Sequence, residues 1–147
     1  MTLTNWINKN ALLIVFVQAV AAMLGSLYFS EIRGFPPCIL CWYQRIAMYP
    51  IVAIAAVGIW FNDLKAYRYI LPLSIAGGLV AVYQNLLYYN ILPEAVAPCT
   101  LGVSCTTKYI QWFGFVTIPL LSLLAFAVIT AVMLLQRQSD QRSKTTD

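Results

Sequence analysis

The sequence predicts an all-α, polytopic membrane protein: one domain built as a bundle of four transmembrane helices. Three observations lead there. Of its 147 residues, 61% are hydrophobic and only 10% charged, far below the roughly 25% charged of a soluble domain. Four apolar stretches approach the ~20 residues that cross a ~30 Å hydrocarbon core. The lysines and arginines fall mainly in the breaks between those stretches and at the chain ends. The net charge of +4 is therefore no pointer to nucleic acid, because in a membrane chain the placement of the charges matters more than their sum.

The first span runs from about Ala11 to Phe29 ("ALLIVFVQAVAAMLGSLYF"). It follows a positive segment, Met1 to Lys9, as a signal peptide would. Its apolar run exceeds the usual 7 to 15 residues, however, and "SEIRGFPP" has no small-x-small cleavage site. A retained helix is expected. The second span covers Trp42 to Phe61, the third Tyr69 to Leu92 and the fourth Phe113 to Leu135. Ala22, Gly25 and Ser26 in the first, and Gly77, Gly78 and Ala81 in the third, allow the close helix contact that membrane packing depends on. Pro72 is near a helix start and cheap there, whereas Pro50 and Pro119 should kink their helices. Residues 136–147 ("QRQSDQRSKTTD") read as a disordered, solvated cytoplasmic tail.

Orientation follows from the basic residues. Lys9, Lys65, Arg68, Arg137, Arg142 and Lys144 fall on one side of a four-span chain, and Arg33, Arg45 and Lys108 on the other. This bias puts both termini in the cytoplasm. Cys38 and Cys41 then lie in the first external loop, Cys99 and Cys105 in the second, so all four cysteines face the compartment where disulfides persist.

In "GFPPCILCWYQR", Pro36 and Pro37 prevent a helix from running into the cysteine pair, so Cys38 should sit near the start of the second helix. A thiolate there meets the positive end of the helix dipole. Cys38, Cys41 and Arg45 are spaced i, i+3 and i+7 and share one helical face. The plainer reading of Arg45 is a headgroup anchor; beside a C-x-x-C pair it becomes a partner for a thiolate or a carbonyl oxygen. A zinc site would need a second ligand pair and often histidine, and the chain has no histidine. Cys99 and Cys105 could complete a Cys₄ set, but an oxidising exterior works against four free thiolates. No metal is expected. An inert clip is also unattractive, because closing so short a loop removes little unfolded-state entropy.

"PCTLGVSC" sits in a loop of roughly twenty residues, longer than most connections. Its plain reading is a static disulfide; its functional reading is an exchangeable one offered to a soluble thiol protein. In "KYIQWFGF", Tyr109, Trp112 and Phe113 form an interfacial belt that would tether Cys105 near the bilayer. An exposed pair and a pair at the lipid boundary make an electron relay. With no haem histidine or flavin motif, its acceptor is a lipid-soluble quinone.

"CILCWYQR", "CTLGVSC" and "YIQWFGFVTIP" resemble the DsbB-type disulfide-bond formation proteins, and "MLGSLYFSEIRGFPPCILCWYQR" resembles their short Gram-positive BdbC branch. The likeness runs from about Ala11 to Leu135. It implies a quinone-dependent protein-disulfide oxidoreductase of the bacterial cell membrane. Such an enzyme reoxidises an extracytoplasmic thioredoxin-like thiol oxidase of the DsbA or BdbD type and passes electrons to menaquinone or ubiquinone. It also implies that Cys38 and Cys41 form the quinone-side pair, with Cys41 nearer the quinone and Arg45 contacting a quinone oxygen. Cys99 and Cys105 form the partner-side pair, with Cys99 taking the mixed disulfide. Family members often carry a histidine toward the outer end of the third span; here Gln84, beside Asn85, takes that place. Glutamine can donate a hydrogen bond to a quinone carbonyl but cannot supply a proton as histidine can. Its plainer role is an interhelical hydrogen bond.

Two rival readings remain at this level. A vitamin K epoxide reductase-like quinone reductase also uses two cysteine pairs, but arranges them differently along the chain, and "CWYQR" argues against it. A non-enzymatic four-helix adaptor with structural loop disulfides would keep them oxidised when quinone is depleted. A relay would accumulate thiols.

Overall fold

The computed structural model describes residues 3–91 and 117–146. Helix α1 spans Leu3–Leu27 and runs on through a wider π-helical turn, Tyr28–Ile32. Helix α2 spans Ile39–Trp60 and helix α3 spans Tyr67–Tyr88, joined through a 3₁₀ turn at Leu64–Ala66. Helix α4 spans Ile118–Thr146. Each helix packs on its neighbour in the chain, and α4 closes the bundle against α1. All four are long and apolar enough to cross a membrane. Helices suit that setting because every backbone bond is satisfied within the segment.

The core is a column of apolar side chains that are almost wholly buried: Val15, Ala19, Ile51, Ala55, Ile70, Ala81, Phe126, Ile129 and Met133. Large apolar residues such as Trp60, Phe61, Tyr69 and Leu79 cover the outside, as a lipid-facing surface requires. Helices α3 and α4 meet where Gly77 lies against the Phe126 ring; a β-carbon at 77 would run into that ring. At the α2–α3 turn, Asn62 adopts a left-handed φ of 51°, and the Asp63 carboxylate accepts from the Lys65 N–H at 2.9 Å. These two residues reverse the chain in a short connection.

Three expectations need correction. The second helix starts at Ile39, three residues before the Trp42 that opens the expected second span, while Cys38 stands at the helix start, as the two prolines predict. Pro119 does not sit within a helix where it could kink it. Helix α4 begins at Ile118, and Thr117 Oγ1 caps it by accepting from the Leu120 N–H at 3.3 Å. Pro119 therefore falls in the first turn, where its missing N–H costs little. Finally, the tail expected to be disordered from residue 136 is helical to Thr146. Its start is tied to the α2–α3 turn: the Gln136 amide donates to the Leu64 carbonyl at 3.0 Å and the Tyr67 hydroxyl donates to Asp140 at 3.0 Å. Lysine, arginine and glutamine, all good helix formers, extend the helix from that anchor.

Candidate active site

The segment between α1 and α2 is folded back before the cysteines arrive. Arg33 N–H donates to the Tyr28 carbonyl at 3.1 Å and Phe35 N–H to the Phe29 carbonyl at 3.0 Å. Gly34 takes a left-handed φ of 67°, and the Phe29 and Phe35 rings stack at 6.5 Å. A residue before proline is held out of the α region, so Phe35 and Pro36 stay extended and the helix begins only after the pair of prolines. Cys38 is the extended N-cap of α2, with φ −72° and ψ 169°; its carbonyl accepts the first helical bond, from Trp42 N–H at 3.1 Å.

One turn separates the two thiols, and their sulfurs lie 3.1 Å apart as a hydrogen-bonded dithiol. That separation is about an ångström more than a disulfide bond. Cys38 is buried and Cys41 half-buried. Leu40 and Leu87 pack beside them, with Val80 and Tyr83 behind.

The structure brings Gln84 of α3 directly onto this pair. Its amide nitrogen donates to Cys38 Sγ at 3.5 Å and to Cys41 Sγ at 3.3 Å. Both amide N–H groups thus point at sulfur, and the Gln84 oxygen accepts from the Gln44 amide at 2.6 Å. Gln44 in turn accepts from the Ser122 hydroxyl of α4. The interhelical bond expected of Gln84 is present, and the N–H groups expected to reach a ligand carbonyl are directed at the thiols. Gln44 and Ser122 were not singled out from the sequence. Gln44 had a usable signal: it lies three residues after Cys41, on the same helical face, and a polar group in a membrane span requires a partner.

Arg45 is 7% exposed, so it neither snorkels nor anchors to headgroups. Its Nε donates to Ser26 Oγ at 2.9 Å and its Nη2 to the Ser26 carbonyl at 2.9 Å. The guanidinium carbon sits 5.4 Å from the Trp42 ring centroid, within cation–π range. Ser26, read from the sequence as a small packing residue, is therefore the clamp that holds the charge. Two N–H groups are used on Ser26, and a guanidinium has five.

Thiols and guanidinium share a cavity of about 370 Å³, walled by apolar groups of α1, α2 and α4, among them Ala22, Gly25, Met48 and Ala125. Cys38, Cys41, Gln84 and Arg45 all line it. Cys99 and Cys105, the second expected pair, lie outside the described residues.

The family described as "Disulfide bond formation protein DsbB" matches residues 8–136. This chain belongs to the DsbB family. Among its DsbB relatives, "Disulfide bond formation protein C" of Bacillus subtilis is 45% identical over 130 residues, covering 86% of this chain and 94% of the relative. "Probable disulfide formation protein C 2" of Bacillus cereus is 42% identical over 139 residues, 95% of this chain and 98% of the relative. "Probable disulfide formation protein" of Metapseudomonas resinovorans is 36% identical over 130 residues, with 88% and 90% covered. No solved structure matches. DsbB membership implies a disulfide oxidoreductase with a role in disulfide bond formation, here on a multi-pass membrane bundle.

Proposed function

We propose that the protein is a quinone-coupled thiol oxidase that regenerates an extracytoplasmic thioredoxin-like dithiol oxidase. The observation that carries this reading is the opening of the Cys38–Cys41 dithiol onto an apolar cavity that also holds a clamped arginine. A cavity of about 370 Å³ falls in the range of small-molecule sites, about 300–1,000 Å³ with few polar groups. A quinone head is a flat apolar ring with two acceptor oxygens. Apolar walls and an arginine with N–H groups to spare fit it; Arg45 would hold an oxygen, and Met48, Ala125 and Gly25 would flank the ring. When bound, a quinone supplies the sink for two electrons and two protons from the dithiol.

The chain's own residues do the rest. Both termini are cytoplasmic, which places the two cysteine loops outside, where a soluble partner reaches Cys99 and Cys105. The partner's thiolate attacks Cys99 and releases Cys105 as a thiolate; the second partner thiolate then attacks the partner sulfur of that mixed disulfide, so that Cys99 departs as a thiolate and the partner leaves with its own disulfide. Cys105 and Cys99, now reduced, re-form their disulfide by exchange with the oxidised Cys38–Cys41 pair: Cys105 attacks Cys38, Cys41 departs with the electron pair, and Cys99 resolves the bond. Each exchange breaks one S–S bond and forms one. The leaving sulfur, Cys41, accepts a hydrogen bond from Gln84, which stabilises the charge it acquires.

Reconstitution with a short-chain quinone and a reduced thioredoxin-like protein tests this. Quinone reduction should require all four cysteines, and a partner whose second cysteine is replaced by serine should be trapped as a mixed disulfide on Cys99. A partner cross-link on Cys38 or Cys41, or quinone reduction that survives loss of Cys99 and Cys105, overturns the scheme.

A further inference from the structure

We propose that Ser122 and Gln44 form a positioning chain that fixes the Gln84 amide with its N–H groups on the Cys38–Cys41 sulfurs, and so sets the redox balance of that pair. The proposal deepens the reading above, because it takes Cys38–Cys41 to be a redox couple.

The chain crosses three helices. Ser122 of α4 donates to the Gln44 oxygen of α2, Gln44 donates to the Gln84 oxygen of α3, and Gln84 donates to both sulfurs. Its direction is dictated from the sulfur end. A sulfur carrying negative charge only accepts, so Gln84 must present nitrogen to it. The Gln84 oxygen then faces away and, 3% exposed as the residue is, needs a donor. Gln44 is the donor supplied; it is 7% exposed, and its own oxygen is left with the same need. Ser122 closes the series, because a hydroxyl rotates to donate where required. Reversing either amide would leave two oxygens, or two N–H groups, facing each other in a buried setting, a costly arrangement.

The consequence is chemical. A reduced, electron-rich sulfur is a better acceptor than a sulfur of a disulfide. Hydrogen bonds donated by a fixed amide therefore stabilise the dithiol form over the disulfide, making the pair a stronger electron acceptor from the thiols that reduce it. Gln84 touches the reacting atoms; Gln44 and Ser122 act through it. Bonds in such a chain polarise one another, so a change at the far end is felt at the sulfurs in attenuated form.

The test uses the full-length protein in detergent with Cys99→Ala and Cys105→Ala, leaving a single pair. It is equilibrated in dithiothreitol redox buffers, and the reduced fraction is read by alkylation and mass. Gln84→Met should lower the equilibrium constant for reduction about two- to tenfold, a potential up to about 30 mV more negative for this two-electron couple. Gln44→Met and Ser122→Ala should move it in the same direction by less, and Ser122→Thr, which keeps the hydroxyl, should restore the parent value. If Gln84→Met titrates at the parent potential, the role of the amide is wrong. If it shifts while Ser122→Ala and Gln44→Met do not, the positioning chain is wrong. A lower melting temperature with an unchanged potential means a structural role only and also overturns the proposal. Should Gln44→Met fail to fold, the Ser122→Ala and Ser122→Thr pair decides alone. Failure of the quinone-coupled reading is separable: the pair would titrate in this order and yet reduce no quinone in the parent protein.

Discussion

Replacing Arg45 with methionine separates its two duties. The side chain is buried, holds the Ser26 hydroxyl and carbonyl at 2.9 Å each, and lies over Trp42. Breaking those bonds should not unfold the bundle. Methionine fills similar volume, the desolvation cost of a buried guanidinium disappears with the charge, and such exchanges are often neutral or better. The Ser26 hydroxyl can turn back to a carbonyl of its own helix. On the proposed reading, what methionine cannot replace is a charge-assisted bond to a quinone oxygen, which would be worth about 1.5–3 kcal/mol. At 1.36 kcal/mol per tenfold, the Michaelis constant for quinone should rise about ten- to a hundredfold. The turnover number should hold if the bond is equally strong in ground and transition states. Arg45→Lys keeps the charge but not the fork that grips Ser26 at two points, and should fall between. The assay follows the ultraviolet absorbance of oxidised quinone against a reduced thioredoxin-like protein, with exchange between partner and Cys99–Cys105 measured separately. An unchanged quinone dependence in Arg45→Met, with the same thermal transition as the parent, refutes the role.

Other outcomes follow from the same geometry. Gly77→Ala should destabilise the bundle by about 1–3 kcal/mol through overpacking, because its β-carbon would enter the Phe126 ring; Gly78→Ala, whose β-carbon would meet Phe126 Cβ at an ordinary 3.6 Å, should be nearly silent. Thermal melts in detergent compare the two, and equal melts would show that α3 and α4 pack differently. A β-carbon at Gly25 meets no atom within 4 Å, and the residue lines the cavity. Gly25→Leu should therefore fold, fill the cavity and weaken quinone use, while Gly25→Ala should do neither; normal quinone kinetics in Gly25→Leu would place the quinone elsewhere. An impermeant thiol reagent applied to intact, reduced cells should label Cys99 and Cys105, and labelling only after lysis would invert the topology.

The helices were legible because a bilayer leaves the chain little choice: about twenty apolar residues must close their own backbone bonds. Their ends were less so. Hydropathy alone starts the second span at about Trp42, whereas Pro36 and Pro37 mark Cys38 as the helix start, and the structure makes it the N-cap before Ile39. The polar end of α4 looked like a free tail, since composition does not disclose that Leu64 and Tyr67 stand opposite Gln136 and Asp140.

The site shows the same division. A C-x-x-C pair with arginine one turn beyond declares itself by spacing on one helix, and the structure keeps those groups around one cavity. Ser26, Gln44 and Ser122 were hidden because each partner lies on another helix, and which faces meet depends on rotation and axial offset. Membrane helices that are apolar all round leave no periodic stripe from which to read that rotation. Their polar atoms nevertheless constrain it. Gln44 and Gln84 can satisfy one another only if α2 and α3 meet at that level, and Gln44 can accept from Ser122 only if α4 closes beside them. Deeper in the bundle the contacts are mostly apolar, with Ile51, Ile70, Ile129 and Met133 fully buried, and apolar contact is non-directional. A buried amide left without its partner is penalised more sharply. The network around the thiols thus also fixes the register of three helices, and the same bonds that aim Gln84 at sulfur hold in place the bundle that carries it.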